Sequence, residues 1–117
     1  MIDPASFPGR GKVAVLRTTP ETVLEDVGRL MHMAGYQAAL PQDKGTILKI
    51  NISWQQWYPA CSTSPWQLEG VITRLLQDGY SNLVGAHNRT VAVDAYVGEV
   101  NNKHKLVLQV MLLAQMQ

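Results

Sequence analysis

A chain of 117 residues with a formal net charge of +1 and 16% charged residues is the size of one globular domain. Its hydrophobic fraction of 46% excludes a disordered chain, and the lack of a dense Lys/Arg stripe argues against a nucleic-acid partner. The single cysteine, Cys61, excludes an intrachain disulfide, a Cys-x-x-Cys zinc motif and an iron–sulfur cluster carried by this chain. No run is long enough to span a membrane and no secretory signal is recognisable, so we expect a cytoplasmic protein without a membrane partner.

The first predicted elements are a leader, a strand and a helix. Residues 1–11 are rich in Pro and Gly and are expected to form a flexible leader. Residues 12–17, KVAVLR, are typical of a short buried strand because they are apolar between the two charged ends and rich in β-branched residues. The sequence TTPE that begins at Thr18 predicts a capped helix start, and Gly35 is the expected end of that helix.

The centre of the chain predicts a β-α-β unit. Residues 46–53 form a nearly continuous apolar run, as a central parallel strand requires. Ser64 and Pro65 predict the cap and the first position of a second helix that ends at Gly79, and residues 82–86 predict a third strand. Elements that alternate in this way imply a parallel sheet. We therefore expect an α/β fold, a partial Rossmann-like three-layer unit with the order β-α-β-α-β-α.

The carboxyl-terminal third is less regular. Residues 91–100 fit both a strand and a helical face, and we favour a helix. His104, in the polar run NNKHK, is expected to be solvated. The segment from Leu106 to Met116 is apolar on all sides, so it must be buried in this domain, in a second copy or in a partner chain. The expected division is a leader at 1–11, an α/β domain at 12–105 and a hydrophobic segment at 106–117.

The predicted strands would bring polar side chains together at one sheet edge, because ligands of parallel sheets bind where the strands end. Guanidinium groups and the free N–H groups of helix amino ends suit a phosphate or a carboxylate. We therefore predict a site for an anionic small molecule. An alternative is that the hydroxyls only cap helices and the arginines lie in solvent. The candidate ligand-binding residues are Arg17, Thr18, Asn51, Ser53, Trp54, Ser64, Asn88 and Arg89.

Three further features bear on chemistry. The loop at 54–62 holds two of the three tryptophans, which suits either stacking on a ligand or a lid over the sheet edge. Cys61 lies near a helix amino end, but a single loop cysteine is more often inert. His87 is the candidate catalytic residue for acid–base work, with Asp94 and Glu99 close in sequence. No spacing of His, Cys, Asp or Glu is diagnostic of a metal, so no metal site is predicted.

From Lys12 to about Lys105 the chain resembles the amino-terminal part of the domain of unknown function 362 family. The residues that carry the resemblance are Lys49 and Asn51 near a strand end, Ser64 and Pro65 at a helix start, and the third strand that leads to polar residues. Where that family has Lys-Pro-Asn, this chain has Lys-Ile-Asn.

The resemblance implies a Rossmann-like domain of an uncharacterised protein that is sometimes attached to iron–sulfur modules. Because it covers only the first part of the family's domain, it also implies a truncated ligand-binding part of an enzyme-like protein, and it leaves the cofactor and any enzymatic activity undetermined. The alternatives from the residues are a non-catalytic interaction or oligomerising module and an inactive fragment.

Overall fold

Helices and a short parallel sheet make up the fold. The computed structural model describes residues 9–58, 60–87, 94–104 and 107. In chain order the elements are α1 (Val23–Met33), a 3₁₀ helix (Tyr36–Ala38), β1 (Thr46–Lys49), α2 (Pro65–Gln77), β2 (Leu83–Ala86) and α3 (Ala95–Asn101). This mixture, with a parallel sheet, fits the predicted α/β class.

The two strands pair in parallel, with Thr46 opposite Leu83 at one end and Lys49 opposite Ala86 at the other. The backbone N–H of Ile50 extends the ladder by donating to the Ala86 carbonyl at 2.7 Å. The predicted parallel β-α-β unit is therefore confirmed, although β1 is shorter than the predicted strand at 46–53.

The core lies on one face of this sheet. Alternate residues of a strand point to opposite faces, and the inward residues pack with α2 and with the turn after it. The fully buried apolar side chains are Ile50, Leu68, Ile72, Leu75, Tyr80 and Leu83. On the other face, the paired Ile47 and Val84 remain 70% and 50% exposed. Within the described residues the sheet is thus covered on one face only, and the predicted third layer is not seen there.

Two glycines let α1 and α2 pack closely. A Cβ atom on Gly70 would lie 2.8 Å from the Cβ of Val27, and one on Gly28 would lie 3.0 Å from the Cδ of Arg74. Neither position leaves room for a side chain without movement of its neighbour. The close approach of the two helices therefore depends on these glycines.

The boundaries of α2 agree with the prediction. Ser64 is the N-cap residue in an extended conformation, and Pro65 occupies the first helical position. After the C-cap at Asp78, Gly79 has a φ of 91°, which glycine adopts readily. The predicted helix within 91–100 is also confirmed as α3. These elements form where the local sequence carries strong start and stop signals.

The prediction of a strand at residues 12–17 is wrong. The segment forms no regular secondary structure and pairs with no strand in the described part of the chain. Val13 and Val15 are 85% and 75% exposed. Its β-branched composition favours an extended backbone, whereas pairing needs a neighbouring strand.

The predicted start of α1 at Thr18 is also wrong. The N-cap is Thr22 and the helix begins at Val23. Thr18 and Thr22 both donate their hydroxyl groups to the Asp26 carboxylate, at 2.9 Å and 2.6 Å. Residues 20–22 form a turn that brings the two hydroxyls to this carboxylate.

His104 is fully buried, so the prediction that it is solvated is wrong. Its Nε2 atom contacts the Thr63 carbonyl oxygen. Within the polar run, Asn102 and His104 turn inward because they contact carbonyl oxygens of the distant loop that precedes α2.

Several predictions concern residues outside the described part of the chain. These are most of the flexible leader, the candidate ligands Asn88 and Arg89, and the segment from Leu106 to Met116 apart from Val107. Val107 packs against the core. No helix among the described residues combines the length and apolar composition needed to cross a bilayer.

Candidate functional site

A cavity of about 400 Å³ lies at the amino end of α2. Three aromatic side chains, Trp57, Tyr58 and Trp66, line it together with the hydroxyl residues Ser62 and Ser64. All three rings are more than half exposed. The cavity therefore offers flat apolar surfaces beside hydrogen-bonding groups, the usual combination in small-molecule sites.

The first turn of α2 presents free donors to this cavity. The first helical bond runs from the Leu68 N–H to the Ser64 carbonyl, at 3.1 Å. The N–H groups of Trp66 and Gln67 have no acceptor within the described residues, and the Ser64 side chain makes no capping bond. No acidic residue lies in this first turn. No carboxylate in the first turn therefore neutralises the positive end of the helix dipole, an arrangement that favours an anion.

Backbone contacts fix the segment that leads into α2. Thr63 donates its N–H to the Asn51 carbonyl at 3.0 Å, and its Oγ1 accepts the Asn51 N–H at 3.1 Å. The N–H of Ser53 donates to the Ser62 Oγ at 3.3 Å. These bonds tie the chain after β1 to the residues before the helix, so the free donors are held in place without a ligand.

The end of α3 holds the aromatic loop from the other side. Asn101 Nδ2 donates to the Gln55 carbonyl at 2.8 Å, and the buried Asn102 donates to the Trp54 carbonyl at 3.2 Å. Asn102 also lines the cavity. A Cβ on Gly98 would lie 2.5 Å from Ile52 Cγ2, so α3 packs tightly against the chain beneath the loop. Sequence reasoning missed Asn102 because nothing local marks it as buried.

The amino end of α1 is arranged differently. Asp26 is buried and accepts hydrogen bonds from Thr18 and Thr22, and it forms an ion pair with Arg29 at 2.7 Å. The Thr22 hydroxyl, followed by that of Thr18, holds the pKa of Asp26 below its ordinary value. A carboxylate of the protein thus occupies this helix end.

A second cavity, of about 540 Å³, lies between α1 and α2 and contains Thr18 and the carboxylate residue Glu69 in its lining. Trp66 lines both cavities. With Asp26 and Glu69 close by, the surroundings of Thr18 are less suited to an anion than the amino end of α2.

His87 follows β2, where the sequence placed a candidate catalytic residue. Its Nε2 lies 3.7 Å from Glu99 Oε2, and its ring meets that of Tyr96 edge-on with centroids 5.5 Å apart. The Nδ1 atom is buried without a partner among the described residues. Of the two acidic residues expected near His87, Glu99 makes this contact, whereas Asp94 caps α3 by accepting from the N–H groups of Tyr96 and Val97.

The other predicted ligands that the structure describes differ in their hydrogen bonds and in their exposure. Asn51 Nδ2 donates to Ser53 Oγ at 2.6 Å, so these two side chains satisfy each other. Arg17 is exposed next to Thr18, and Trp54, in the loop at 54–62, is 55% exposed but does not line the cavity. Cys61 is exposed and free. Of the predicted ligands that the structure describes, Ser64 is the one that lines the cavity at α2.

A polar cluster that sequence reasoning did not find joins the carboxyl ends of α1 and α2. Asp78 Oδ2 lies 2.5 Å from His32 Nε2 and accepts the Tyr36 hydroxyl at 2.6 Å, and Arg74 Nε is 3.8 Å away. These contacts lower the pKa of Asp78, chiefly through Tyr36 and then His32. Burial, followed by the bond to Asp78, raises the pKa of Tyr36. The only local signal is the spacing of Arg74 and Asp78.

Within the described ranges, no group of three or more His, Cys, Asp or Glu side chains is arranged to hold a metal ion. Comparisons of the chain with protein families, curated proteins and solved structures find no match.

Proposed function

We propose that this chain is a ligand-binding α/β domain that takes an anionic small molecule at the amino end of α2. The carrying observation is the pair of N–H groups without an acceptor among the described residues, on Trp66 and Gln67, because both residues line a cavity with no carboxylate in its described lining. A phosphate or carboxylate would accept from these donors and from the Ser64 hydroxyl. The aromatic rings would stack on a planar or apolar part of the same molecule.

The proposal also includes the remaining predicted ligands, as residues around the cavity. Arg17, Asn51, Ser53, Trp54, Asn88 and Arg89 would bind or orient the ligand from the neighbouring loops, whereas Thr18, which donates its hydroxyl to Asp26, would not contact it directly. A catalytic role for His87 stays a prediction, supported by its partial burial and by the nearby Glu99 carboxylate. The Rossmann-like three-layer unit and the resemblance to the domain of unknown function 362 family are likewise proposals, supported by the parallel β-α-β order.

The substitution Ser64→Asp tests the anion site without damaging the fold. Aspartate is a good N-cap residue, so its carboxylate would accept the free N–H groups and stabilise α2 by about 0.5–1 kcal/mol. The same carboxylate would repel an anion. We therefore expect a protein that is at least as stable as the wild type but has lost anion binding.

The measurement is the change in melting temperature with added phosphate, compared with chloride at equal ionic strength, together with native mass spectrometry for retained ligands. Ser81→Asp makes the same change at an exposed position and is the matched control. The proposal predicts a phosphate-dependent shift in the wild type and in Ser81→Asp but not in Ser64→Asp. An equal shift in all three proteins would contradict it.

A second candidate function is an interaction or oligomerising module. It is favoured by the uncovered sheet face, where Ile47 and Val84 are exposed side by side. The segment from Leu106 to Met116 is the predicted contact with a second copy or a partner chain. Sedimentation over a range of protein concentrations tests this function, because a monomer at every concentration would argue against self-association.

A further inference from the structure

The segment at residues 12–17 has no regular secondary structure, and its backbone hydrogen-bonding groups are unused. Within the described part of the chain, the N–H and C=O groups of residues 13–17 have no hydrogen-bond partner. Exposure alternates along the segment: Val13, Val15 and Arg17 are exposed, whereas Ala14 and Leu16 are half-buried. One side of the segment therefore rests on the protein while the other is open, as in a sheet edge that lacks its neighbour.

A groove runs beside this segment. It has a volume of about 700 Å³ and lies between the extended chain and the carboxyl end of α1. Val13 and Val15 line one side, and Met33, itself 58% exposed, lines the other. An added strand would place alternate side chains in such a groove while its backbone bonds to the open edge.

The charged residues within the segment and next to it in sequence are all positive. Arg10 and Lys12 precede the valines and Arg17 follows them. All three are exposed, and none forms an ion pair within the described residues. An apolar strip bounded by free cations at both ends is complementary to an apolar strand bounded by carboxylates.

We propose that residues 12–17 accept, by strand addition, an extended peptide segment of a partner protein that has alternating apolar side chains and acidic residues at both ends. A second copy of the chain fits less well, because antiparallel pairing about the middle of the segment would bring Lys12 of one copy to Arg17 of the other. The chain's own residues 106–117 contain no Asp or Glu and cannot supply the acidic ends. This surface shares Arg17 with the residues proposed to orient the anion, but its groove and the cavity at the amino end of α2 have no lining residue in common.

Hydrogen exchange of the full chain with a capped probe peptide tests the proposal. The peptide alternates Val and Thr and carries Glu at each end, and the matched control carries Lys at each end. With the Glu peptide at about ten times its Kd, amides of residues 13–17 that pair with it should exchange about tenfold more slowly. The Lys peptide at the same concentration should give no protection.

A charge-reversed protein, Lys12→Glu with Arg17→Glu, should reverse this preference. The Ser64→Asp variant should bind the Glu peptide as the wild type does, so failure of the anion site and failure of the strand site are distinguishable. Equal protection by both peptides, or none at 13–17, would overturn the proposal. Protection of residues 13–17 without peptide would also overturn the proposal. If that protection depended on protein concentration, the segment would pair with a second copy. If it did not, the segment would pair within the chain.

Discussion

Asp78 is a carboxylate placed where helix dipoles disfavour it, at the carboxyl end of α2. Three donors offset that cost: the Tyr36 hydroxyl, His32 and, at a longer distance, Arg74. Two of these come from the end of α1 or just beyond it. The side chain therefore links the two helices at the end that lies opposite the α2 amino-end cavity.

We predict that Asp78→Asn lowers stability at neutral pH and weakens the acid dependence of unfolding. The pKa of Asp78 is lowered in the fold, so its stabilisation is fully present above the ordinary aspartate pKa of about 3.9 and is lost as the pH falls below it. The difference between wild type and variant should shrink on going from pH 7 to pH 3. Urea unfolding at both pH values measures it.

Asp43→Asn is the control for this prediction, because Asp43 is exposed and forms no ion pair in the described part of the chain. It should change stability little at either pH. A loss for Asp78→Asn that is the same at both pH values would show that packing, rather than charge, is responsible.

At the scale of elements, the contact between α1 and α2 is set by glycine. In an open helix, alanine in place of glycine stabilises by up to about 1 kcal/mol. At Gly70 the added Cβ would meet Val27 at 2.8 Å and the Leu24 carbonyl at 3.1 Å. We therefore predict that Gly70→Ala destabilises the protein by about 1–3 kcal/mol, because the helices must separate or shift.

The measurement is denaturant unfolding of Gly70→Ala, with Thr73→Ala at an exposed position in the same helix as the control. The comparison separates the effect of steric crowding between the helices from that of helix propensity. Thr73→Ala should be neutral or slightly stabilising. If Gly70→Ala stabilised the protein as well, the two helices would not be in the close contact described.

The sequence predicts an element well when the residues that determine it lie within or next to that element. The limits of α2 follow from Ser64, Pro65 and Gly79, all of which act through their own backbone, and the prediction is correct. Residues 12–17 have an equally strong local preference for an extended chain, but strand pairing is decided by distant residues. Local composition could not reveal that the valines have no strand beside them in the described structure.

In the candidate site, too, the sequence predicts features that are local but not those that depend on distant residues. The cap at Ser64 and the concentration of tryptophans point to the cavity from sequence alone. Thr18 was equally plausible as a ligand residue, yet its hydroxyl is bonded to Asp26 eight positions away. Asn102 and His104 lie in a polar run, and only the carbonyls of the distant loop account for their burial. The sequence pattern could not identify hydrogen-bond partners that are remote in sequence.

For the molecule as a whole, the most consequential feature is the difference in burial between the two faces of the sheet. One face carries the core, whereas the other presents Ile47 and Val84 to solvent within the described structure. Parallel sheets are normally covered on both faces. The exposed pair therefore marks a surface that self-association would cover, as the second candidate function requires.

We predict that the full chain associates with increasing concentration and that the double substitution Ile47→Thr and Val84→Thr makes it monomeric. Threonine keeps the β-branched shape that suits a strand but weakens apolar contact across the face. Because both side chains are already largely exposed, the free energy of unfolding of the monomer should change by less than about 1 kcal/mol. Sedimentation velocity gives the association, and urea unfolding at low concentration gives the stability.

The matched control is Val97→Thr with Val100→Thr, which removes two exposed apolar residues from α3 instead. If association depends on the sheet face, this control should associate like the wild type. If both double variants were equally monomeric, general surface hydrophobicity would be responsible, and the uncovered face would have no special role. A wild type that stays monomeric at high concentration would instead leave the ligand-binding proposal as the better account of the molecule.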